Sequence, residues 1–322
     1  MRLLVTGGAG FIGSNYVRHV LRTTDDEVRV LDALTYAGNL ANLAEVADDP
    51  RYSFVQGDVA DREAVLAAMT GCDAVVHLAA ETHVDRSLYD PDAFVRTNCQ
   101  GTNVLCDVAR QLGVQRFLHV STDEVYGSRA TGSFTEDDPL GPTSPYSASK
   151  AASDLLALSY VASHDVPVVV TRSSNQYGPF QFPEKVVPLF VTNLLRGLTV
   201  PLYGDGRNVR DWLFVEDNCA ALDLVLRRGE VGTVYNVGGG NELTNLDLTD
   251  RLLALTGADA SSVEHVADRP GHDLRYSVTS DRVRALGWSP STGLDEGLER
   301  TVAFYRDRPD WWEPLLERVR NR

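Results

Sequence analysis

Lysine is nearly missing from this chain: of 30 basic residues only Lys150 and Lys185 are lysines, and the rest are arginines. A genome that favours Arg codons explains the skew. It also marks the two lysines as positions where a compact ammonium was kept against a planar guanidinium. Cysteine is sparse as well. Cys72, Cys99, Cys106 and Cys219 show no CxxC spacing and no clustering with histidine. This excludes a metal site and a disulfide frame, and predicts reduced, mostly buried thiols in a cytoplasmic protein. No apolar run approaches the ~20 residues a membrane-spanning helix needs, and the first residues enter a strand-like run at once. The expectation is no membrane segment and no signal peptide. Positive charge is in deficit, and a net charge of −15 argues against nucleic acid or anionic membrane as a partner. It does not exclude a small phosphorylated ligand, which needs only a few local cations. Internal repeats and low-complexity segments are absent too.

What is present is an ordinary globular composition, 43% hydrophobic and 23% charged over 322 residues, enough for one large or two modest domains. Short β-branched runs at 2–6, 28–32, 53–57, 74–79, 116–121 and 168–173 alternate with helical patterns at 11–22, 61–69, 92–112 and 145–163. Near-continuous apolar strands alternating with helices predict an α/β fold with a doubly wound, Rossmann-like parallel sheet. After about residue 173 the rhythm breaks at Pro179, Pro183, Pro188 and Pro201, with Gly238 to Gly240 and Arg269-Pro270-Gly271 further on. We read 1–174 as a dinucleotide-binding domain and 175–322 as a smaller, loop-rich substrate domain, with about 208–237 crossing back. The tail around Trp311-Trp312 predicts a final amphipathic helix.

Gly7, Gly10 and Gly13 follow the first strand and open the first helix, where backbone can approach a pyrophosphate seated on the helix N-terminus. Asp32 ends the second strand, placed to accept from ribose hydroxyls, and no cation follows it to favour a 2′-phosphate. The pattern predicts NAD. Asp58, after the third strand, is placed to reach the adenine or to cap the next helix.

Ser144-Pro145-Tyr146 reads as an N-cap, a proline at the first helical position, and the helix proper. Tyr146 and Lys150 then face one side at i and i+4. An ordinary tyrosine, with pKa ~10, is a poor base; a nearby ammonium and a positive nicotinamide ring would favour its phenolate. Thr122-Asp123-Glu124 ends the fifth strand, at the edge where doubly wound sheets bind ligands. Two carboxyls in one pocket split their pKa values, supplying an acid and a base together.

Motifs spread over nearly the whole chain carry a resemblance. They are TGGAGFIGS at 6–14, LTYAGN at 34–39, HLAAETHVDRS at 77–87, STDEVYG at 121–127, SPYSASKAASD at 144–154, NQYGPFQFPEK at 175–185, RDWLFVED at 210–217 and DRPGHD at 268–273. The chain resembles the extended short-chain dehydrogenase/reductases and, among them, the dTDP-glucose 4,6-dehydratase family. The resemblance implies oxidation at carbon 4 of dTDP-glucose, elimination of water across carbons 5 and 6, and return of hydride to carbon 6. Thr122, Asp123, Glu124, Tyr146 and Lys150 would be catalytic. It further implies cofactor contacts from Phe11, Ile12, Leu34, Thr35, Val59, Leu78, Ala79, Ala80 and Thr97. Substrate contacts would come from Thr82, Asn175, Lys185, Val186, Pro201, Tyr203, Arg210, Asn245, Asp268, Arg269 and His272. Relatives often carry Asn where Gln176 stands and Ser where Thr82 stands, and His83 reads as structural. A homodimer built on the 92–112 and 145–163 helices is implied as well. The rivals are a nucleotide-sugar 4-epimerase, a decarboxylase of a nucleotide-linked uronic acid, a GDP-mannose dehydratase, and a non-catalytic NAD-binding module. Asp123-Glu124 argues against the epimerase, and an intact Thr122, Tyr146 and Lys150 against the module.

Overall fold

The computed structural model describes residues 1–268 and 273–320. Its strands are β1 Arg2–Thr6, β2 Glu27–Asp32, β3 Tyr52–Gln56, β4 Ala74–His77, β5 Arg116–Thr122, β6 Val168–Ser173, β7 Asn175–Tyr177, β8 Val200–Tyr203, β9 Val209–Phe214, β10 Val234–Val237, β11 Glu242–Thr244 and β12 Val263–Val266. Seven form one parallel sheet in the order β3-β2-β1-β4-β5-β6-β10. Apolar side chains point from both of its faces because both are covered. Helices Phe11–Thr23 and Val215–Arg228 seal one face around Val5, Val30 and Leu118. Helices Arg62–Met69, Gly101–Leu112 and Pro145–His164 seal the other around Leu4, Val75 and Phe117. The chain runs outward from β1 to β3 and then returns to β4. This reversal opens a crevice at the carboxyl ends of the central strands.

Residues 215–237 come back to this sheet as a helix and as its edge strand β10. The remaining second half builds a separate core of Tyr177, Phe190, Trp212, Phe214, Tyr305 and Trp312 beneath two small sheets, β11-β9-β7 and β12-β8. The tail forms the helix Pro309–Arg320, and Trp311 ties it to the first half by donating to Asn42 Oδ1 at 2.9 Å.

Two elements differ from the sequence reading. Residues 92–112 are not one regular helix: a π-helical turn, Val95–Gln100, separates Pro91–Phe94 from Gly101–Leu112. The wide turn carries Asn98 inward, where it accepts from Glu81 N at 2.9 Å and donates to Glu81 O at 3.0 Å and Ser149 Oγ at 2.9 Å. β4 stops at His77 rather than 79, because Leu78 and Ala79 leave the ladder to wrap the first glycine turn. A Cβ on Gly7 would lie 2.7 Å from Ala79 Cα.

Candidate active site

The turn after β1 is shaped to hold something against bare backbone. Gly7 has φ 70°, and a Cβ on Gly13 would come within 2.2 Å of Gly7 O. Gly7, Gly10, Phe11, Ile12 and Gly13 line the cavity above the crevice, as do Asp32, Thr35, Asp58 and Val59. Asp32 Oδ2 accepts from Ala9 N at 2.9 Å and Oδ1 from Leu34 N at 2.8 Å. Burial pushes its pKa up against those two bonds, and each oxygen keeps a lone pair for a ribose hydroxyl. Leu34 itself takes φ 53° and packs on the core without lining the cavity. Asp58 does not cap the next helix, a role held by Asp61. It pairs instead with Arg96 at 2.6 Å, bringing a cation from the π turn into the cavity wall. Leu78, Ala79, Ala80 and Thr97 line the same space. A tight turn in which Gly7 and Gly13 leave no room for a Cβ against Ala79 and the Gly7 carbonyl, lining a cavity next to an acid at the end of β2, fits NAD.

The chemistry gathers where β5 ends. Thr122 caps a short 3₁₀ turn, Asp123–Tyr126, accepting from Glu124 N at 3.2 Å. That turn aims Asp123 and Glu124 into the cavity beside Tyr146 and Lys150. Asp123 is 2% exposed; Oδ1 accepts from Thr122 Oγ1 at 3.2 Å, while Oδ2 is buried with no hydrogen-bond partner. Burial first, then the charges of Glu124 and Asp211, hold its carboxyl well above the usual range, which favours the protonated acid. Tyr146 departs from the sequence expectation of a lowered pKa. Burial and Glu124 push its phenol well up, and the hydrogen bond from Thr122 pulls only partly against them. The protein alone keeps this phenol neutral, so the phenolate needs a further positive charge in the cavity. Lys150 donates to Val120 O at 2.8 Å, and burial brings its ammonium down to about 8.

The expected substrate residues fall into two groups. Thr82, Asn175 and Lys185 line the cavity; Lys185 donates to Thr82 O at 3.0 Å, and Asn175 Oδ1 is buried without a partner. Gln176 also lines it, donating to Ser174 O. Val186, Pro201, Tyr203, Arg210 and Asn245 lie outside that lining. Arg210 stacks 4.3 Å over Tyr276 and donates to Val209 O and Asp273 O, yet its charge is felt at Asp123. Asp268 is exposed beside Gly204, while Arg269 and His272 lie outside the described residues. His83 is structural, accepting from Arg86 N at 3.3 Å. Sequence reasoning missed Arg96, Asn98 and the contact of Tyr36 with Glu184 at 2.8 Å over the cavity. All three depend on partners far along the chain, and no local spacing signals them. No group of residues that could hold a metal occurs among the described residues, and none of their helices is long and apolar enough to cross a membrane.

Residues 4–301 match the family model described as GDP-mannose 4,6 dehydratase. The dTDP-glucose 4,6-dehydratase of Streptomyces antibioticus is 57% identical over 325 residues, spanning 99% of this chain and 96% of that protein. The crystal structure of the dTDP-glucose 4,6-dehydratase from Streptomyces venezuelae with NAD bound is 55% identical, with a TM-score of 0.96 over 98% of this chain and 100% of that one. The UDP-glucose 4-epimerase of Thermus thermophilus in complex with NAD is similar at 35% identity and a TM-score of 0.89, over 96% and 100% of the two chains.

Proposed function

The chain belongs to the GDP-mannose 4,6 dehydratase family, on the side of the dTDP-glucose 4,6-dehydratases, and from that premise we propose that it converts dTDP-glucose to dTDP-4-keto-6-deoxyglucose and water. The observation that carries this reading is the adjacent pair of buried Asp123 and half-buried Glu124 in the cavity with Tyr146, where burial and the Glu124 charge push the Asp123 carboxyl well up and favour its acid form. An epimerase with the same Tyr and Lys has no use for an acid at carbon 6.

A bound NAD would supply the acceptor for the carbon 4 hydride and the donor for its return to carbon 6. Gly7, Gly10, Gly13, Asp32 and Asp58 would hold it, leaving its positive ring to favour the Tyr146 phenolate. Tyr146 takes the proton of the carbon 4 hydroxyl, which Thr122 orients. The resulting ketone acidifies carbon 5, Glu124 removes that proton, and Asp123 protonates the departing carbon 6 hydroxyl. A proton then returns to carbon 5, with no net redox change. Thr82 would meet the sugar, and Asn175, Lys185 and Arg210 the diphosphate, with Asn245 assisting from the second half. Residues 1–174 with 215–237 would hold the cofactor and carry the catalytic side chains, and the rest would help hold the nucleotide sugar. We place this activity in a cytoplasmic homodimer, supported by four unpaired thiols and by apolar side chains left exposed beside the Pro145–His164 helix.

Incubation with dTDP-glucose deuterated at carbon 4, without added NAD, tests the reading. Mass and NMR should show loss of water and label at carbon 6. Label retained at carbon 4 without dehydration would replace the dehydratase by an epimerase.

A further inference from the structure

Three segments far apart in the chain meet at the wall of the cavity, in contacts that no step of the proposed reaction uses. Tyr36 lies just beyond Asp32 and is 8% exposed. Its hydroxyl donates to Glu184 Oε1 at 2.8 Å, across 148 positions of sequence. Its ring meets Phe182 edge-on at 5.6 Å, and the Arg86 guanidinium lies over it at 4.5 Å. Arg86 also reaches Glu81 at 3.4 Å, and Glu184 Oε2 lies 3.8 Å from His83 Nε2. One residue on, Lys185 donates to Thr82 O at 3.0 Å. Tyr36, Glu81, Thr82, Phe182, Glu184 and Lys185 all line the cavity.

The two ends of this clasp belong to different halves of the molecule. Tyr36 rides on a segment fixed to the glycine turn: Leu34 N donates to Asp32 Oδ1 at 2.8 Å, and Asn39 N to Ala9 O at 3.0 Å. A Cβ on Gly38 would lie 2.9 Å from Asp32 Oδ1, so the segment runs hard against the acid at the end of β2. Glu184 and Lys185 instead lead into the helix Val186–Leu195, which packs in the core of the second half.

A permanent seam would be better made of apolar side chains, because a buried carboxylate gives up its water. Phenylalanine at position 36 would keep the contacts with Phe182 and Arg86, so the hydroxyl is there for Glu184. The Glu184 side chain is 10% exposed, and its ion-pair neighbour among the described residues is His83, whose charge burial disfavours. Burial and the Glu184 carboxylate push the Tyr36 phenol up, so it keeps its proton and donates. Such a bond holds while the cavity wall is dry and opens when water competes for it. Beside the clasp, at Asp32, lies the part of the cavity that fits NAD.

We infer that Tyr36 and Glu184 form a clasp that retains NAD between turnovers, tying the segment beside Asp32 to the second half. The inference rests on the dehydratase reading for one point: hydride leaves and returns within a cycle, so NAD has no reason to exchange, whereas substrate and product must pass every time.

The test reads NAD release from the purified holoprotein, as alcohol dehydrogenase and ethanol reduce whatever is liberated. Tyr36→Phe and Glu184→Leu should each speed release about tenfold, as loss of one charge-assisted bond predicts. The double variant should be no faster than either, because both changes remove the same bond. Glu184→Gln keeps a neutral acceptor and should fall between these variants and wild type. Unmoved release in Tyr36→Phe overturns the inference, whatever happens to the melting temperature. So does a double variant faster by about a hundredfold, which would mean two independent roles. A raised KM for dTDP-glucose with unmoved release would make the pair a gate for substrate, and overturns it as well. If Glu184→Leu does not fold, Tyr36→Phe and Glu184→Gln decide. If the wild type holds NAD but leaves dTDP-glucose untouched, the dehydratase reading fails, while the release rates still decide the clasp.

Discussion

Asp123 sits 2% exposed with one carboxyl oxygen unbonded, beside the charges of Glu124 and Asp211. Because its folded-state pKa is raised, the folded protein binds this proton more tightly than the unfolded chain. Stability is therefore undiminished below the unfolded carboxyl pKa and falls as pH rises toward the folded value. An amide at this position keeps the shape and has no proton to lose. Asp123→Asn should lower dehydration by at least ~10²-fold, yet raise the melting temperature at neutral pH. That gain should vanish near pH ~4, where an unfolded Asp is itself protonated. Thermal melts across pH check this. A variant less stable than wild type at pH ~7 would show that Asp123 is ionised in the fold. The same residue illustrates what one chain position reveals. Its pairing with Glu124 after a strand is visible in the sequence, while the charge of Asp211 that adds to its shift comes from another element.

At the scale of elements, the helix carrying Tyr146 starts where it does because of its first turn. Ser144 Oγ accepts from Ser147 N at 3.1 Å, Ser147 Oγ accepts from Ser144 N at 3.0 Å, and Pro145 occupies the first helical position. Ser144→Ala should cost about 1 kcal/mol, read as a lower urea midpoint with unchanged NAD content. This start was legible because a cap, a proline and an i, i+4 pair all lie within seven residues. The strands β1, β2, β5 and β6 were legible for a similar reason: each is a short apolar run ending at a turn residue. The π turn at Val95–Gln100 was not. Apolar spacing cannot register one widened turn whose cause, Asn98 bridging Glu81 and Ser149, comes from elsewhere in the chain. β10 escaped too, since Asn236 within it looks like a loop residue. Its side chain is satisfied by Tyr126 and its backbone N–H by Glu136, 100 residues away.

For the whole molecule, the distribution of exposed apolar surface bears on assembly. Tyr89 is 88% exposed, Leu155 61%, Val95 56% and Leu88 46%, on segments that all pack around the Pro145–His164 helix. Core packing explains the inward faces of these elements but gives no reason for apolar side chains on the outward ones. Fully burying such a side chain contributes roughly 1.5–3 kcal/mol, enough in combination to offset part of the cost of association. The net charge of −15 would oppose self-association at long range, so a contact between two copies on this surface would be apolar at its centre and would strengthen as salt screens that repulsion. Light scattering should give twice the chain mass for the wild type, and a single chain mass for Leu155→Glu combined with Tyr89→Ser, whose new carboxylate would have to be buried against its own copy. A wild type that is monomeric at micromolar concentration in moderate salt would remove these side chains from any role in dimerisation.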